Sequence, residues 1–269
     1  MAKFFLFIIP NQNSTANYLN IKTVIGPLLS RDELGAKQKH DWSYRSAIGM
    51  LGHLQNSTRP DISMAVHQCA CFNVNLMLCH DKSVKYIARY LLSSQDKGIH
   101  YKPDMNRGLE CYVDVDFAGG WSYGDHTNTE CFLSRTGFVI MYARCPLTCC
   151  SKLQTEIALS TTESEYIALS QAMREVIPFM NLMVEVGEVF PLHNPKPYFH
   201  YKVFEDKNSC IRVAESSKFT PRTKHIAIKY HHFRKYVADK KISIFPIDTK
   251  DQLADIFTKP LDRFIFRKL

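Results

Sequence analysis

Residues 111–117 read CYVDVDF, and the alternation in that stretch decides the fold. In an extended chain Cys111, Val113, Val115 and Phe117 fall on one face, and Tyr112, Asp114 and Asp116 on the other. Two carboxylates therefore share one face of an otherwise apolar strand. A buried carboxylate is costly unless it is paired, hydrogen-bonded or metal-bound. A lone strand leaves a second reading open, an acidic pair beside a turn that simply faces water.

Downstream, TGFVIMYA (136–143) and PLTCCSKL (146–153) read as two more strands. A long helix is predicted from about Thr161 to Gly187, with a kink at Pro178. A strand YFHYKVF (198–204), a short helix at 207–215, a basic linker, a helix at 225–239, a strand ISIFPI (242–247) and a short helix from near Asp251 follow. The order β-β-β-α-β-α-α-β-α predicts an α/β fold, with three hairpin strands and then α/β crossovers in one five-stranded mixed sheet flanked by helices. Upstream the period is helical. Ile48, Leu51 and Leu54 mark one helix up to Arg59-Pro60, and Asp61 is placed to cap the next, through Ile62, Ala65, Val66 and Cys69. Val84, Ile87, Ala88 and Leu91 mark a third helix over about 81–94. The boundaries expected are a poorly ordered segment 1–40, a small helical segment 41–100, an α/β domain 108–260 and a tail 261–269.

Composition suits a soluble globular protein, with 45% hydrophobic and 22% charged residues among 269. The net charge of +8 suits a polyanionic partner. Nine scattered cysteines do not form a disulfide framework, and no paired CxxC spacing points to zinc. A reducing, intracellular compartment fits that usage. The opening MAKFFLFIIPNQ is too short to span a bilayer and has no small-residue cleavage site.

Further acidic residues lie where a mixed sheet exposes its functional edge. Helical geometry sets Glu165 on the same stripe as Leu169, Ala172, Val176 and Met180, so it is a carboxylate on a core-facing surface. Glu163 points nearly the opposite way, with Ser170 and Arg174, and is expected on the solvent face, where it can help Ser160 cap the helix. Asp206 follows the strand YFHYKVF, and Asp255 lies one turn beyond Asp251. Taken alone, Asp206 reads as an N-cap and Asp255 as a surface acid. Carboxylates converging at one edge repel unless divalent cations neutralise them, and Mg²⁺ prefers such oxygen ligands.

At these residues the chain resembles the RNase H domain of copia-type retrotransposon polyproteins. The resemblance runs from Tyr44 to the end through YRSAIGMLGHL, RPDISMAV, VKYIARYLL, YVDVDFAGG, SRTGF, SKLQTEIALSTTESEYIALSQA, EDKNSCI, RTKHIAIKYHHFRKYV and DQLADIFTKPL. It implies an RNase H-like fold preceded by the segment that connects such a domain to the polymerase. It also implies an endoribonuclease that cuts the RNA strand of RNA–DNA hybrids with two Mg²⁺ ions, or Mn²⁺ in their place. Asp114, Glu165, Asp206 and Asp255 are then the catalytic, metal-binding carboxylates, and Asp116 is a substitute ligand. The implied partners are the hybrid and the reverse transcriptase polymerase domain of the same kind of polyprotein; the implied setting is a cytoplasmic virus-like particle. The polymerase motifs themselves are missing from this sequence, and VDVD lacks the adjacent aspartates of a polymerase palm. Basic residues interleave with aromatics after residue 217, and Arg222, Lys224, Lys229 and Arg234 are the expected nucleic-acid contacts.

Cys149 stands where the family has Trp, Ala227 where it has Asp, and the sequence given ends on FRKL where relatives continue. A large-to-small change in a core strand costs ~3–5 kcal/mol. The alternative expectation is accordingly an inactive retrotransposon-derived fragment that at most binds nucleic acid.

Overall fold

The computed structural model describes residues 42–74, 76–120, 129–190, 201–216, 226 and 228–268, together with Gly35. The expectation for residues 1–40 therefore falls, Gly35 apart, outside the described residues, as does Ala227. The chain divides into two compact units, His100–Thr258 and a unit that combines Met1–Ile99 with Lys259–Leu269.

The helical unit contains α1 (Tyr44–Ser57), α2 (Ser63–Ala70), α3 (Leu78–Ser93) and, near the end of the chain, α8 (Arg263–Lys268). Ser43 caps α1 by accepting from the Ser46 amide at 3.3 Å. Tyr44, Ala47, Ile48 and Leu51 then recur at helical spacing and bury against Ile62, Val66, Cys69, Val84, Ile87 and Leu91. Asp61 does not cap α2, contrary to expectation. Pro60–Ile62 forms a 3₁₀ turn, and Asp61 serves instead as counter-ion to the largely buried Arg59, at 2.7 Å, and accepts from the Tyr90 hydroxyl at 2.6 Å. A buried guanidinium must be satisfied, and that demand outweighs a helix cap.

The second unit is built on β1 (Leu109–Asp116), β2 (Arg135–Tyr142), β3 (Cys145–Leu153), β4 (Tyr201–Glu205) and β5 (Ile242–Pro246), ordered β3-β2-β1-β4-β5. The first three form an antiparallel meander, while β4 runs parallel to β1 and β5 parallel to β4. CYVDVDF thus becomes the central strand. Its Cys111, Val113 and Val115 pack with Leu169, Ala172, Met173 and Val176 of α4 (Thr161–Val189) and with Cys210, Ile211 and Ala214 of α5 (Asn208–Glu215). On the opposite face Tyr112 and Val139 meet Ala254 and Phe257, which belong to the segment forming α7 (Asp255–Thr258). Helices cover both faces of a mixed sheet, an RNase H-like α/β arrangement.

The helix expected over 225–239 is shorter than its pattern suggests. A 3₁₀ turn, Ile228–His231, precedes α6 (Arg234–Ala238). Aromatic and histidine residues favour helix weakly. Here Tyr230 and Phe233 are buried against α4, and the Tyr166 hydroxyl meets His231 Nδ1 at 2.7 Å, so tertiary contacts set the local path. Cys149 is half-buried on the sheet's edge strand, so a small residue there costs less than it would at the centre of the core.

Gly137 lets α7 approach the sheet. It pairs with Asp114 across β1 and β2. A Cβ at this position would stand 2.5 Å from Thr258 Cγ2, 2.9 Å from Phe257 Cβ and 3.1 Å from the Ala254 carbonyl oxygen. Gly137→Ala is expected to lower the free energy of unfolding by ~1–3 kcal/mol in denaturant titrations, the usual cost of overpacking. Gly187→Ala, with nothing within 4 Å of the added carbon, is expected to stabilise α4 by roughly 1 kcal/mol. A Gly137→Ala protein as stable as the parent would contradict this packing.

Candidate metal centre

Asp114 and Asp206 are brought together by parallel pairing. Tyr112 of β1 is in register with Phe204 of β4, and their rings stack at 4.7 Å between centroids. Each aspartate lies two residues further along its own strand direction, at the carboxyl edge where open α/β sheets gather their functional groups. Glu165 comes from the beginning of α4. Ser160 caps that helix by accepting from the Glu163 amide at 3.2 Å, which fixes where the helix starts and so where Glu165 projects. Ligand oxygens of Asp114, Glu165 and Asp206 all lie within 4.8 Å of one another. Asp114 is 1% exposed and Glu165 3%, so neither is an ordinary surface acid.

Neighbouring groups fix parts of this cluster and leave other parts open. The Thr258 hydroxyl donates a short hydrogen bond to Asp114 Oδ2. Gln252 Nε2 donates to the Val113 carbonyl at 2.8 Å, tying the chain just before α7 to β1. Thr249 Oγ1 donates to Asp206 Oδ2 at 3.2 Å. Glu205, adjacent to Asp206, accepts from the Lys207 amide at 3.2 Å through Oε1. Among the described residues, Glu165 Oε2, Glu205 Oε2 and Asp206 Oδ1 are buried with no hydrogen-bond partner. An unsatisfied buried acceptor costs ~1–3 kcal/mol, and several carboxylate oxygens left so in one region suit a hard divalent cation. The donor set is all oxygen, and the three converging carboxylates can chelate one metal ion.

The electrostatics point the same way. Burial pushes the Glu165 carboxyl far above the usual carboxylate range, helped by the charges of Glu205, Asp114 and Asp206 and opposed by Lys207. Glu205 is raised first by burial, then by Asp206 and Asp114, against the hydrogen bond from the Lys207 amide. Without a cation, these groups lower their mutual repulsion by holding protons.

The remaining expected residues are placed differently. Asp255 is buried at the start of α7 but is not one of the three that converge. Asp116 also falls outside that group; its carboxylate fills the space beside Gly119, where an added Cβ would be 1.7 Å from Asp116 Oδ2. Glu163 is not on a solvent face. It is 8% exposed, and its Oε2 accepts from the Leu159 amide at 2.7 Å. The early part of α4 is buried nearly all round, Ser164 and Ser170 included, because α5 and the Ile228–His231 turn pack against it as well as the sheet. Ser160 does cap the helix, while the Glu163 side chain binds the Leu159 amide just ahead of that cap. Lys229 is exposed and ion-paired with Glu156, which also accepts from the Tyr230 hydroxyl at 2.9 Å. Arg234 is half-buried at the start of α6. Arg222 and Lys224 lie outside the described residues.

Glu205, Thr258 and Gly137 are site residues that the sequence reading missed. Glu205 carries a signal, since period two in YKVFE aligns it with the core residues Tyr201 and Val203. The roles of Thr258 and Gly137 depend on how α7 docks, which no local pattern encodes.

No family profile matches the chain. It is 33% identical over 257 residues to the retrovirus-related Pol polyprotein from transposon TNT 1-94 of Nicotiana tabacum, covering 92% of this chain and 18% of that protein. It is 30% identical over 255 residues to the retrovirus-related Pol polyprotein from transposon RE2 of Arabidopsis thaliana, covering 93% and 16%. A 134-residue stretch is 33% identical to secreted RxLR effector protein 161 of Plasmopara viticola, 50% of this chain and 89% of that protein. The chain thus spans less than a fifth of the length of the Pol polyproteins it matches.

A carboxyl whose folded-state pKa is raised above its ordinary value of 4.5 stabilises the fold at acid pH, and that contribution is lost as pH rises. The metal-free protein is therefore expected to melt at lower temperature at about pH 8 than at about pH 5, the folded state binding more protons than the unfolded one. Glu165→Gln should flatten that slope. Differential scanning calorimetry in chelator would show it, and a parental melting temperature that rises over this range would contradict the assignment.

Proposed function

Because this chain is homologous over most of its length to retrovirus-related Pol polyproteins of transposons, we propose that it is the RNase H segment of a copia-type polyprotein, an endonuclease that hydrolyses the RNA strand of RNA–DNA hybrids. The observation that carries this reading is the convergence of Asp114, Glu165 and Asp206 within 4.8 Å at the carboxyl edge of an RNase H-like sheet. On this reading residues 41–100 are the connection to a reverse transcriptase polymerase domain, residues 108–260 the nuclease, and residues 1–40 and 261–269 its flanks. The setting is intracellular, in a cytoplasmic virus-like particle.

Asp114, Glu165, Asp206 and, as a fourth residue, Asp255 would hold the cations, with Asp116 as substitute ligand. When bound there, two Mg²⁺ ions, or Mn²⁺, would supply Lewis-acid activation of a water and charge stabilisation for the leaving oxygen of the phosphodiester. The chain's own groups prepare the site. Thr258 orients the Asp114 carboxylate, Thr249 orients that of Asp206, and burial around Glu165 excludes bulk water. The net charge of +8 draws in the hybrid. Lys229 and Arg234, with Arg222 and Lys224, are the proposed phosphate contacts. The ion pair of Lys229 with Glu156 is half exposed, and surface pairs of this kind are weak enough for a phosphate to displace the glutamate.

Glu165→Gln is expected to abolish hydrolysis of a labelled hybrid in Mg²⁺ while leaving hybrid affinity within a few-fold of the parent. Glu163→Gln, which alters only the hydrogen bond to the Leu159 amide ahead of the helix, should keep hydrolysis. A parent that binds hybrid but leaves it intact in both Mg²⁺ and Mn²⁺ would decide for an inactive, nucleic-acid-binding fragment.

Replacing Arg222 and Lys224 together with Ala is expected to weaken hybrid binding by a similar factor for unrelated sequences. The slope of log affinity against log salt should become shallower by about one unit for each phosphate no longer neutralised. Fluorescence anisotropy over a salt series measures both. Unchanged slope and affinity would remove these residues from the interface.

A further inference from the structure

The acidic region holds another carboxyl group outside the converging three. Glu205 ends β4, is fully buried, and alternates with Tyr201 and Val203 on the face of the sheet that α4 covers. A position that only filled the core would take an apolar residue there. We propose that Glu205 is a further cation-holding residue of this centre, supplying a carboxylate oxygen from the helix-covered side of the sheet. This rests on the reading above that Asp114, Glu165 and Asp206 hold divalent cations.

Three observations support it. First, Glu205 Oε1 is anchored by the Lys207 amide at 3.2 Å, in the turn that also carries Asp206. That hydrogen bond fixes the carboxylate and commits only one of its oxygens. Second, Oε2 is buried with no hydrogen-bond partner among the described residues. Ionised, it is an acceptor with no donor; protonated, it is a donor with no acceptor. Neither state satisfies it, whereas a cation does. Third, Glu205 immediately precedes Asp206 at the end of β4, and the parallel register of β4 with β1 carries it to the same carboxyl edge of the sheet as Asp114 and Asp206. Since it is not one of the residues within the 4.8 Å grouping, it adds binding capacity at the flank of that group and replaces none of its members.

The test counts ions without using turnover. The full chain, freed of metal, is titrated with Mn²⁺, and the free ion is followed by electron paramagnetic resonance for the parent, Asp114→Asn, Glu205→Gln and Glu205→Leu. Melts in chelator first check that each variant folds; relief of repulsion should raise the metal-free melting temperature of both Glu205 variants. Both are expected to bind fewer Mn²⁺ ions than the parent, or to bind them at least about tenfold more weakly, as when a metal site loses a supporting group. Parental stoichiometry and affinity in both Glu205 variants would overturn the inference. If Asp114→Asn alone abolished Mn²⁺ binding in that case, the metal centre itself would stand and Glu205 would be a buried acid satisfied by water. Failure of the parent to bind Mn²⁺ would overturn the centre and, with it, this role.

Discussion

Mutual repulsion of buried carboxylates is the constraint on which this structure depends. Asp114, Glu165 and Asp206 come from a strand, a helix and a strand end, and meet within 4.8 Å under nearly complete burial of the first two. Nothing in apolar packing favours that arrangement. At an effective dielectric near 20, two like charges at about 4–5 Å repel by a few kcal/mol. The fold tolerates the cluster because Glu165 can hold a proton, and because divalent cations can take its place.

The rest of the nuclease-like unit is arranged around this cost. The central position of β1, with an antiparallel neighbour on one edge and a parallel one on the other, leaves both edges of the strand that carries Asp114 paired. The parallel register of β4 brings Asp206 alongside, and the Ser160 cap fixes the start of α4 and hence Glu165. On the far face the bare Cα of Gly137 admits α7 closely enough for Thr258 to hold an oxygen of Asp114. A side chain at position 137 would thus compete for space with Thr258 and Phe257 of α7. Lys207 supplies the positive charge that acts on Glu165 and Glu205, and it offsets part of the repulsion.

Much of this is legible in the sequence because it is local. The alternation in CYVDVDF identifies a strand carrying acids among apolar residues, and the order of elements identifies a mixed sheet. Helical spacing distinguishes Glu165 from Glu163, though it misjudges what surrounds Glu163. A helix stripe reports one partner surface, and α4 has several at its start. Asp61 fails as a cap because an ion pair with Arg59 claims it, a contact no window of sequence around α2 reveals. Glu205 is hidden beside the more familiar Asp206, although its period-two alignment with Tyr201 and Val203 already places it inward. Thr258 and Gly137 are illegible, since their roles exist only once α7 has docked on β2.

On the proposed reading, the activity of this site should show both metal dependence and duplex selectivity. A single measurement reads the two together. It follows a strand-labelled oligonucleotide presented to the unmodified chain as RNA–DNA hybrid, RNA duplex and DNA duplex, each with Mg²⁺ and with chelator. The expected outcome is cleavage of the RNA strand in the hybrid alone, and only with the metal. Equal cutting of all three duplexes, or cutting that persists in chelator, would contradict the role assigned to Asp114, Glu165 and Asp206.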